Sequence, residues 1–219
     1  MANEFYALMG RMRYITRWGL MRNTFSENIS EHSHMTAVLA HALALIRRDI
    51  LNLPAPDPDR CAVAALYHDA SEILTGDLPT PIKYYNPDIK TAYKEVERIA
   101  GNRLLDMLPA ELRSSYTHYV LEDDAELEPF VKAADKLSAY IKCVEERKAG
   151  NREFLSAEAQ TRKRIEDMRL PEADYFLEHS GSLYFLTAKD IALALGVSDT
   201  SVIRLCRTLG YRGFRELQE

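Results

Sequence analysis

The chain has 219 residues, 47% of them hydrophobic and 28% charged, with a net charge of −5. That is enough for one large globular domain, or a medium domain with a small appendage, and the acidic balance gives no whole-chain electrostatic case for nucleic acid. The three cysteines, Cys61, Cys143 and Cys206, are odd in number and far apart, which argues against a disulfide framework or a cysteine-based zinc site.

The first residues show no basic segment followed by an apolar core, so no signal peptide is expected. The longest uncharged apolar stretch, Met35 to Ile46, is too short to span a bilayer. A soluble protein of a reducing cytoplasm is the expectation. Residues 4–13 read as a short helix with Phe5, Leu8, Met9 and Met12 at helical spacing. Next comes Arg17-Trp18, which on its own reads as an aromatic anchor beside a solvated arginine.

Ser30 reads as the N-cap of a long helix whose apolar stripe is Met35, Val38, Leu39, Ala42, Leu45 and Ile46, ending near Arg47-Arg48. At 100° per residue His32 falls on one flank of that stripe, with His34 and His41 on the other. Periodicity alone does not choose a ligand among them, and a flanking histidine is most often an ordinary hydrogen-bonded boundary residue. Prolines 54–58 break the chain, and Asp57-Pro58 is a good N-cap and first-position pair for the following helix.

That helix carries the stretch on which the chain turns, Tyr67-His68-Asp69-Ala70-Ser71-Glu72 followed by Gly76-Asp77-Leu78-Pro79-Thr80-Pro81. On a continuous helix Glu72 lies four residues after His68 and three after Asp69, so the three side chains share one patch that suits a metal. Gly76 suits the position just past a helix end, the prolines forbid further helix, and Asp77 sits on the resulting rigid turn. Asn86-Pro87 opens another helix, a further one covers about 110–121, and a strong helix from Phe130 ends at Gly150. Asp135 lies beside the apolar stripe of that last helix and needs a partner, which Lys132 or Lys136 would supply. Residues 152–169 form a charged helix broken by Pro171. No segment alternates as a strand, so the fold is read as all-α.

His32, the His68-Asp69 pair and Asp135 offer two imidazoles and two carboxylates from three helices, a borderline-to-hard set that suits Mn, Fe, Co, Ni or Zn without selecting among them. The order H…HD…D resembles the HD superfamily of metal-dependent phosphohydrolases. With Arg17-Trp18, Ser30-Glu31-His32-Ser33, Tyr67 to Glu72, Leu74 to Tyr84 and Lys132 to Asp135 all in order, residues 4–170 resemble the bacterial 5′-deoxynucleotidases. The resemblance implies an HD-domain helical bundle, homodimeric, that hydrolyses deoxyribonucleoside 5′-monophosphates with one divalent ion such as Co, Mn or Zn. It implies His32, His68, Asp69 and Asp135 as ligands, Glu72 and Asp77 as catalytic groups, Arg17 and Asp77 on the substrate, and Trp18 as a wall against a 2′-hydroxyl. Another HD phosphohydrolase, acting on a triphosphate or on a cyclic or alarmone nucleotide, is the alternative within enzymes.

Residues 171–219 read as a separate segment. Leu186 to Arg207 gives a helix, a turn at Gly196 and a second helix capped by Ser198, and with Thr208 to Leu217 it resembles the helix-turn-helix of RpiR-type regulators. From Thr200 to Arg215 there are four arginines and no acid, which makes DNA a candidate partner through 186–217. A DNA-binding regulator whose HD domain only senses a nucleotide is therefore the alternative from another class. Glu72 counts against it, since a sensor has no need of a water-activating carboxylate.

Overall fold

A computed structural model of the chain describes residues 4–83, 85–183, 197–208 and 211–213, and two compact units divide between Asp174 and Tyr175. Among the described residues the regular elements are helices, with one isolated antiparallel bridge joining Thr16 to Asn28. None of these helices is long and apolar enough to cross a membrane.

The first unit opens with α1 (Glu4–Met9), continued by a 3-10 turn, Gly10–Tyr14. α2 (Ile29–Leu45) then runs through the middle of the unit and packs on both α3 (Pro58–Tyr67) and α8 (Glu128–Lys148). Its cap is Asn28 rather than Ser30: the Asn28 side chain accepts from Glu31 N at 3.0 Å, and the Glu31 carboxylate accepts from Asn28 N at 3.1 Å. The apolar stripe is also displaced from expectation, because Met35 and Val38 are exposed while Ile29, His32, Ser33, Thr36, Ala37, Ala40, Leu43 and Ala44 are buried. Small and polar residues face inward because two helices flank α2, and short side chains allow their backbones to come near. α2 ends in a single π-helical turn, Ile46–Ile50, that carries Arg47.

Asp57 caps α3 as the sequence indicates, accepting from Asp59 N at 2.8 Å with Pro58 at the first position. α3 stops at Tyr67, however, and the expected continuous helix tightens across 68–71 before the single turn of α4 (Glu72–Thr75). The cause is local. His68 Nδ1 takes the carbonyl of Ala65 at 2.7 Å, the acceptor that an α-helix would give to Asp69 N. The backbone then bonds three residues back, from Ala70 N to Tyr67 O, Glu72 N to Asp69 O and Leu74 N to Ser71 O. In such a turn residues three apart eclipse, which sets Glu72 over Asp69. Ala70 anchors the turn in a core of Phe5, Leu104, Leu105, Leu108 and Val120.

That core is supplied by α6 (Pro87–Asp106) and α7 (Ala110–Val120), which meet closely at Gly101, where a Cβ would stand 2.8 Å from Leu121 Cδ2. Gly76 ends α4 at φ +75°, and α5 (Thr80–Lys83) follows the prolines. Tyr93 of α6 holds this turn, its hydroxyl donating to Gly76 O at 3.2 Å, and Lys83 pairs with Glu97 at 2.6 Å. α8 leads past Gly150 to a 3-10 turn, Arg152–Phe154, and α9 (Leu155–Asp167) lies back along α8. α10 (Pro171–Leu183) begins within this unit, where buried Glu172 pairs with Arg47 at 2.9 Å.

The second unit, from Tyr175, contains α11 (Asp199–Thr208). Ser198 caps it as expected, its hydroxyl accepting from Ser201 N at 3.2 Å. Val202 and Cys206 are buried, and Arg204, Arg207 and Arg212 are exposed. The expected preceding helix and the turn at Gly196 lie outside the described residues, as do Tyr84 and Arg215.

Candidate active site

Three helices bring His32 (α2), His68 and Asp69 (just past α3) and Asp135 (α8) to one point. His32 Nε2 lies 3.2 Å from Asp135 Oδ1 and 3.7 Å from Asp69 Oδ2, while His68 Nε2 lies 3.2 Å from the same Asp69 oxygen. The imidazole rings are 5.3 Å apart, and ligand atoms of His32, His68 and Asp135 all fall within 4.8 Å of one another, close enough for one metal ion. Of the other two α2 histidines, His34 is exposed and His41 pairs at 3.5 Å with Asp59, so neither reaches this point.

The outer nitrogens of both rings are held. His68 Nδ1 must donate to the Ala65 carbonyl, so Nε2, buried and without a hydrogen bond of good geometry, faces inward and can offer its lone pair to a cation in place of a proton. His32 Nδ1 meets Ser138 Oγ at 3.0 Å. Asp135 is shared: Oδ1 faces His32, and Oδ2 accepts from Lys136 at 2.6 Å, whereas Lys132 pairs with Glu128. The donor set of two imidazoles and two carboxylates, with an orphaned buried nitrogen among them, fits a divalent cation of the borderline class.

The electrostatics point the same way. Burial opposes charge on His68, but Asp69 and Asp135 outweigh it and lift the imidazole to about 10. Burial likewise opposes charge on Asp69 and Asp135, yet His68 for the first and Lys136 for the second hold them below the usual carboxylate range. The carboxylates thus ask for positive charge at this point, as a proton or as a cation. Glu72 behaves in the opposite sense. Burial, then the neighbouring Asp69 and Asp77 carboxylates, push it up to about 9, and its Oε2 has no hydrogen-bond partner. Asp77 is half-buried on its turn and is also raised, by burial first, with Arg17 and Lys83 opposing.

Arg17 enters from a loop whose base is closed by Arg17 N to Glu27 O at 2.9 Å and Ile29 N to Ile15 O at 3.0 Å. Its Nη1 donates to Asp69 Oδ2 at 3.3 Å, and its Nε lies 3.4 Å from Glu27 Oε2. Trp18, at φ +60°, is half-buried, with its ring 5.3 Å from Phe154 and its indole N–H donating to Glu27 Oε2 at 2.7 Å. The far side of the loop is tied down by a buried pair: Lys142 Nζ contacts Glu146 at 2.5 Å and Phe25 O at 2.6 Å, and Glu146 accepts from Thr24 N at 2.9 Å and Asn151 Nδ2 at 2.8 Å. A groove of about 450 Å³ lined by Arg22–Thr24 and Gly150–Glu153 contains none of Arg17, Trp18, His32, His68, Asp69, Glu72, Asp77 and Asp135.

All eight residues singled out in the sequence are therefore placed: four around one point, and Arg17, Glu72 and Asp77 within electrostatic reach of Asp69. Trp18 stands one residue from Arg17 and touches both Glu27 and Phe154. Sequence reasoning missed Glu27, Ser138 and the Lys142–Glu146 pair. A glutamate four before Glu31, or a serine three after Asp135, carries no signal of its own, but Lys142 and Glu146, four apart among apolar residues, could have been questioned as buried charge.

A family model described as 5′-deoxynucleotidase YfbR-like matches residues 4–183, and one for a helix-turn-helix domain of the rpiR family matches residues 167–219. A 5′-deoxynucleotidase of Erwinia tasmaniensis is 52% identical over 180 residues, covering 80% of this chain and 89% of the relative. One of Vibrio atlanticus is 45% identical over 192 residues, 87% of this chain and 98% of the relative. Among solved structures, an HD-domain phosphohydrolase from Listeria innocua superposes with a TM-score of 0.71 at 21% identity, covering 80% of this chain and 85% of that one. A cyanophage S-2L HD phosphohydrolase, solved with dA and one catalytic Zn2+ ion, gives a TM-score of 0.54 at 20% identity over 80% of this chain and 94% of that one. The structural likenesses show the HD-domain fold, and the match over most of the chain shows that it belongs to the YfbR-like 5′-deoxynucleotidase family.

Proposed function

We propose that this protein is a metal-dependent phosphomonoesterase that hydrolyses deoxyribonucleoside 5′-monophosphates to deoxynucleoside and inorganic phosphate. The observation that carries the reading is the convergence of His32, His68, Asp69 and Asp135 beside a buried Glu72 whose Oε2 has no partner. The relatives' names and the dA-bound neighbour agree with it.

His32, His68, Asp69 and Asp135 would hold one divalent ion. When bound, the ion supplies Lewis acidity to a phosphate oxygen and lowers the pKa of a water. Glu72 takes the proton that the water loses as its oxygen bonds phosphorus and the P–O5′ bond breaks. Without the ion, burial and the neighbouring carboxylates keep Glu72 protonated; with the ion's positive charge beside it, its pKa would fall far enough for the carboxylate to accept, and its burial keeps it from spending that capacity on solvent. Asp77, also raised, hydrogen-bonds or protonates the departing 5′ oxygen. Arg17, gripped by Glu27 and Asp69, orients the phosphate, and Trp18 stands against the sugar where a 2′-hydroxyl would clash.

Release of phosphate from deoxyribo- and ribonucleoside monophosphates, with Mn, Co or Zn added, tests this. A preference for triphosphates would move the protein to another HD phosphohydrolase activity. Exposed Met35 and Val38 on α2, and Val63 and Leu66 on α3, supply apolar surface for a homodimer, and the unpaired thiols support a reducing cytoplasm. A second activity is supported for the tail: the rpiR-family match and the exposed arginines of α11 favour DNA contact. We place the division between catalytic domain and tail inside α10, after the Arg47–Glu172 pair.

A further inference from the structure

Trp18 occupies a position that a bulky side chain does not choose. Its φ of +60° lies in the left-handed region, which persists only where the surroundings over-determine it. Two contacts do so: the ring lies against Phe154, which is fully buried, and the indole N–H donates to Glu27 Oε2 at 2.7 Å. Phe154 sets how far the ring can retreat but leaves it free to rotate. The hydrogen bond to Glu27 fixes the rotation.

Glu27 is itself immobilised. Its side chain is 13% exposed, the same Oε2 stands 3.4 Å from Arg17 Nε, and its backbone carbonyl accepts from Arg17 N at 2.9 Å. It sits one residue before Asn28, the cap of the helix that carries His32. A single carboxylate oxygen thus faces both Arg17 and Trp18, on a residue adjacent in the chain to the cap of the helix that carries His32.

We infer that Glu27 is a positioning residue for Trp18, and that through this one hydrogen bond it sets discrimination between deoxyribose and ribose. The inference rests on the proposed deoxynucleotidase activity. What matters is reach: an acceptor atom must stand where Oε2 stands. Glutamine has that reach without the charge, and aspartate has the charge without the reach.

The test is the ratio of kcat/KM for a deoxyribonucleoside monophosphate to that of the matching ribonucleotide, measured with Mn or Co in wild type, Glu27→Gln, Glu27→Asp and Glu27→Ala. Thermal unfolding and bound metal serve as controls. Glu27→Asp and Glu27→Ala should lower the ratio by about tenfold or more, the scale of losing a charge-assisted hydrogen bond. Glu27→Gln should keep most of the ratio, with metal content unchanged in all four proteins. If Glu27→Asp is as selective as wild type, or Glu27→Gln loses the ratio as fully as Glu27→Asp, the inference is overturned. A uniform fall in Tm with an unchanged ratio would assign Glu27 to stability alone, and if Glu27→Ala does not fold, the Gln and Asp pair still decides. Wild type that releases no phosphate from deoxynucleotides would instead refute the activity on which the inference rests.

Discussion

Replacing Lys142 by methionine removes a buried charge from a site built around it. Lys142 is 2% exposed and Glu146 fully buried, so neither can turn to water when its partner goes. Lys142 Nζ contacts Glu146 Oε1 at 2.5 Å and Phe25 O at 2.6 Å and lies 3.3 Å from the Phe25 ring centroid, a cation–π contact as well as an ion pair. Breaking a buried pair by removing one partner costs about 3–5 kcal/mol, because a charge is left uncompensated. Here the lower end applies, since Thr24 N and Asn151 Nδ2 continue to donate to Glu146. For a unit of this size ~3 kcal/mol lowers Tm by about 6–12 °C. Glu146→Gln should cost a similar amount, as it strands the ammonium. The double variant Lys142→Met/Glu146→Gln should cost much less than the sum, because no charge remains and the amide oxygen can still accept from Thr24 N. Urea and thermal unfolding of the four proteins measure this cycle. Additive effects would show that the two charges do not depend on each other, and the account of the pair would fail.

Four further outcomes are expected. His68→Ala and Asp69→Ala should each lose both bound metal and phosphate release, as read by elemental analysis; full occupancy in either would make these residues structural. Glu72→Ala should keep the metal and lower kcat by ~10²–10⁴-fold, and a normal kcat with a raised KM would reassign it to binding. Glu146 is burdened by burial, but hydrogen bonds from Lys142, Thr24 and Asn151 hold it ionised down to about 2, below its ordinary 4.5. Its stabilisation is therefore complete above pH 4.5 and lost as pH falls toward 2, and Glu146→Gln should flatten that part of the acid unfolding curve. Truncation after Leu183 should spare hydrolysis, whereas truncation after Leu170 should lower stability by removing buried Glu172 from Arg47; indistinguishable melting of the two truncations would show that this pair contributes nothing.

The sequence was most legible where one residue type meets one local demand. Asp57-Pro58, Asn86-Pro87 and Ser198 start helices because their side chains accept the first free N–H groups, and Gly76 and Gly150 adopt positive φ where a side chain would be strained. It was least legible where a helix is flanked on two sides. The buried face of α2 is alanines, a histidine and hydroxyls, so counting apolar residues selected Met35 and Val38, which face outward. The tightening after Tyr67 was hidden because it depends on an imidazole competing with the backbone for the Ala65 carbonyl, which no propensity records. Partners far apart in sequence were also hidden: Ser138 lies 106 residues from His32, and Glu146 lies 122 from Thr24.

These hidden features determine whether the legible residues can work. Read alone, Glu72 at four residues from His68 on a regular helix is one more side chain on the patch. Tightened, the turn eclipses it over Asp69, where burial and two neighbouring carboxylates raise its pKa to about 9. Glu27, Asp69, Asp77 and Asp135 lie around Arg17, Lys136 and a protonated His68, so even with Glu72 neutral the carboxylates outnumber these cations and would repel a phosphate dianion. A divalent cation held by the histidines, Asp69 and Asp135 would reverse that balance, favour the substrate and lower the Glu72 pKa from its high value toward the working range of a base. The same carboxylates therefore make the site hostile to phosphate until it is loaded, so substrate affinity should rise with metal occupancy. Equilibrium dialysis of a deoxynucleoside monophosphate against Glu72→Ala protein, with and without Mn, would show it, and equal binding in the two conditions would refute the charge argument.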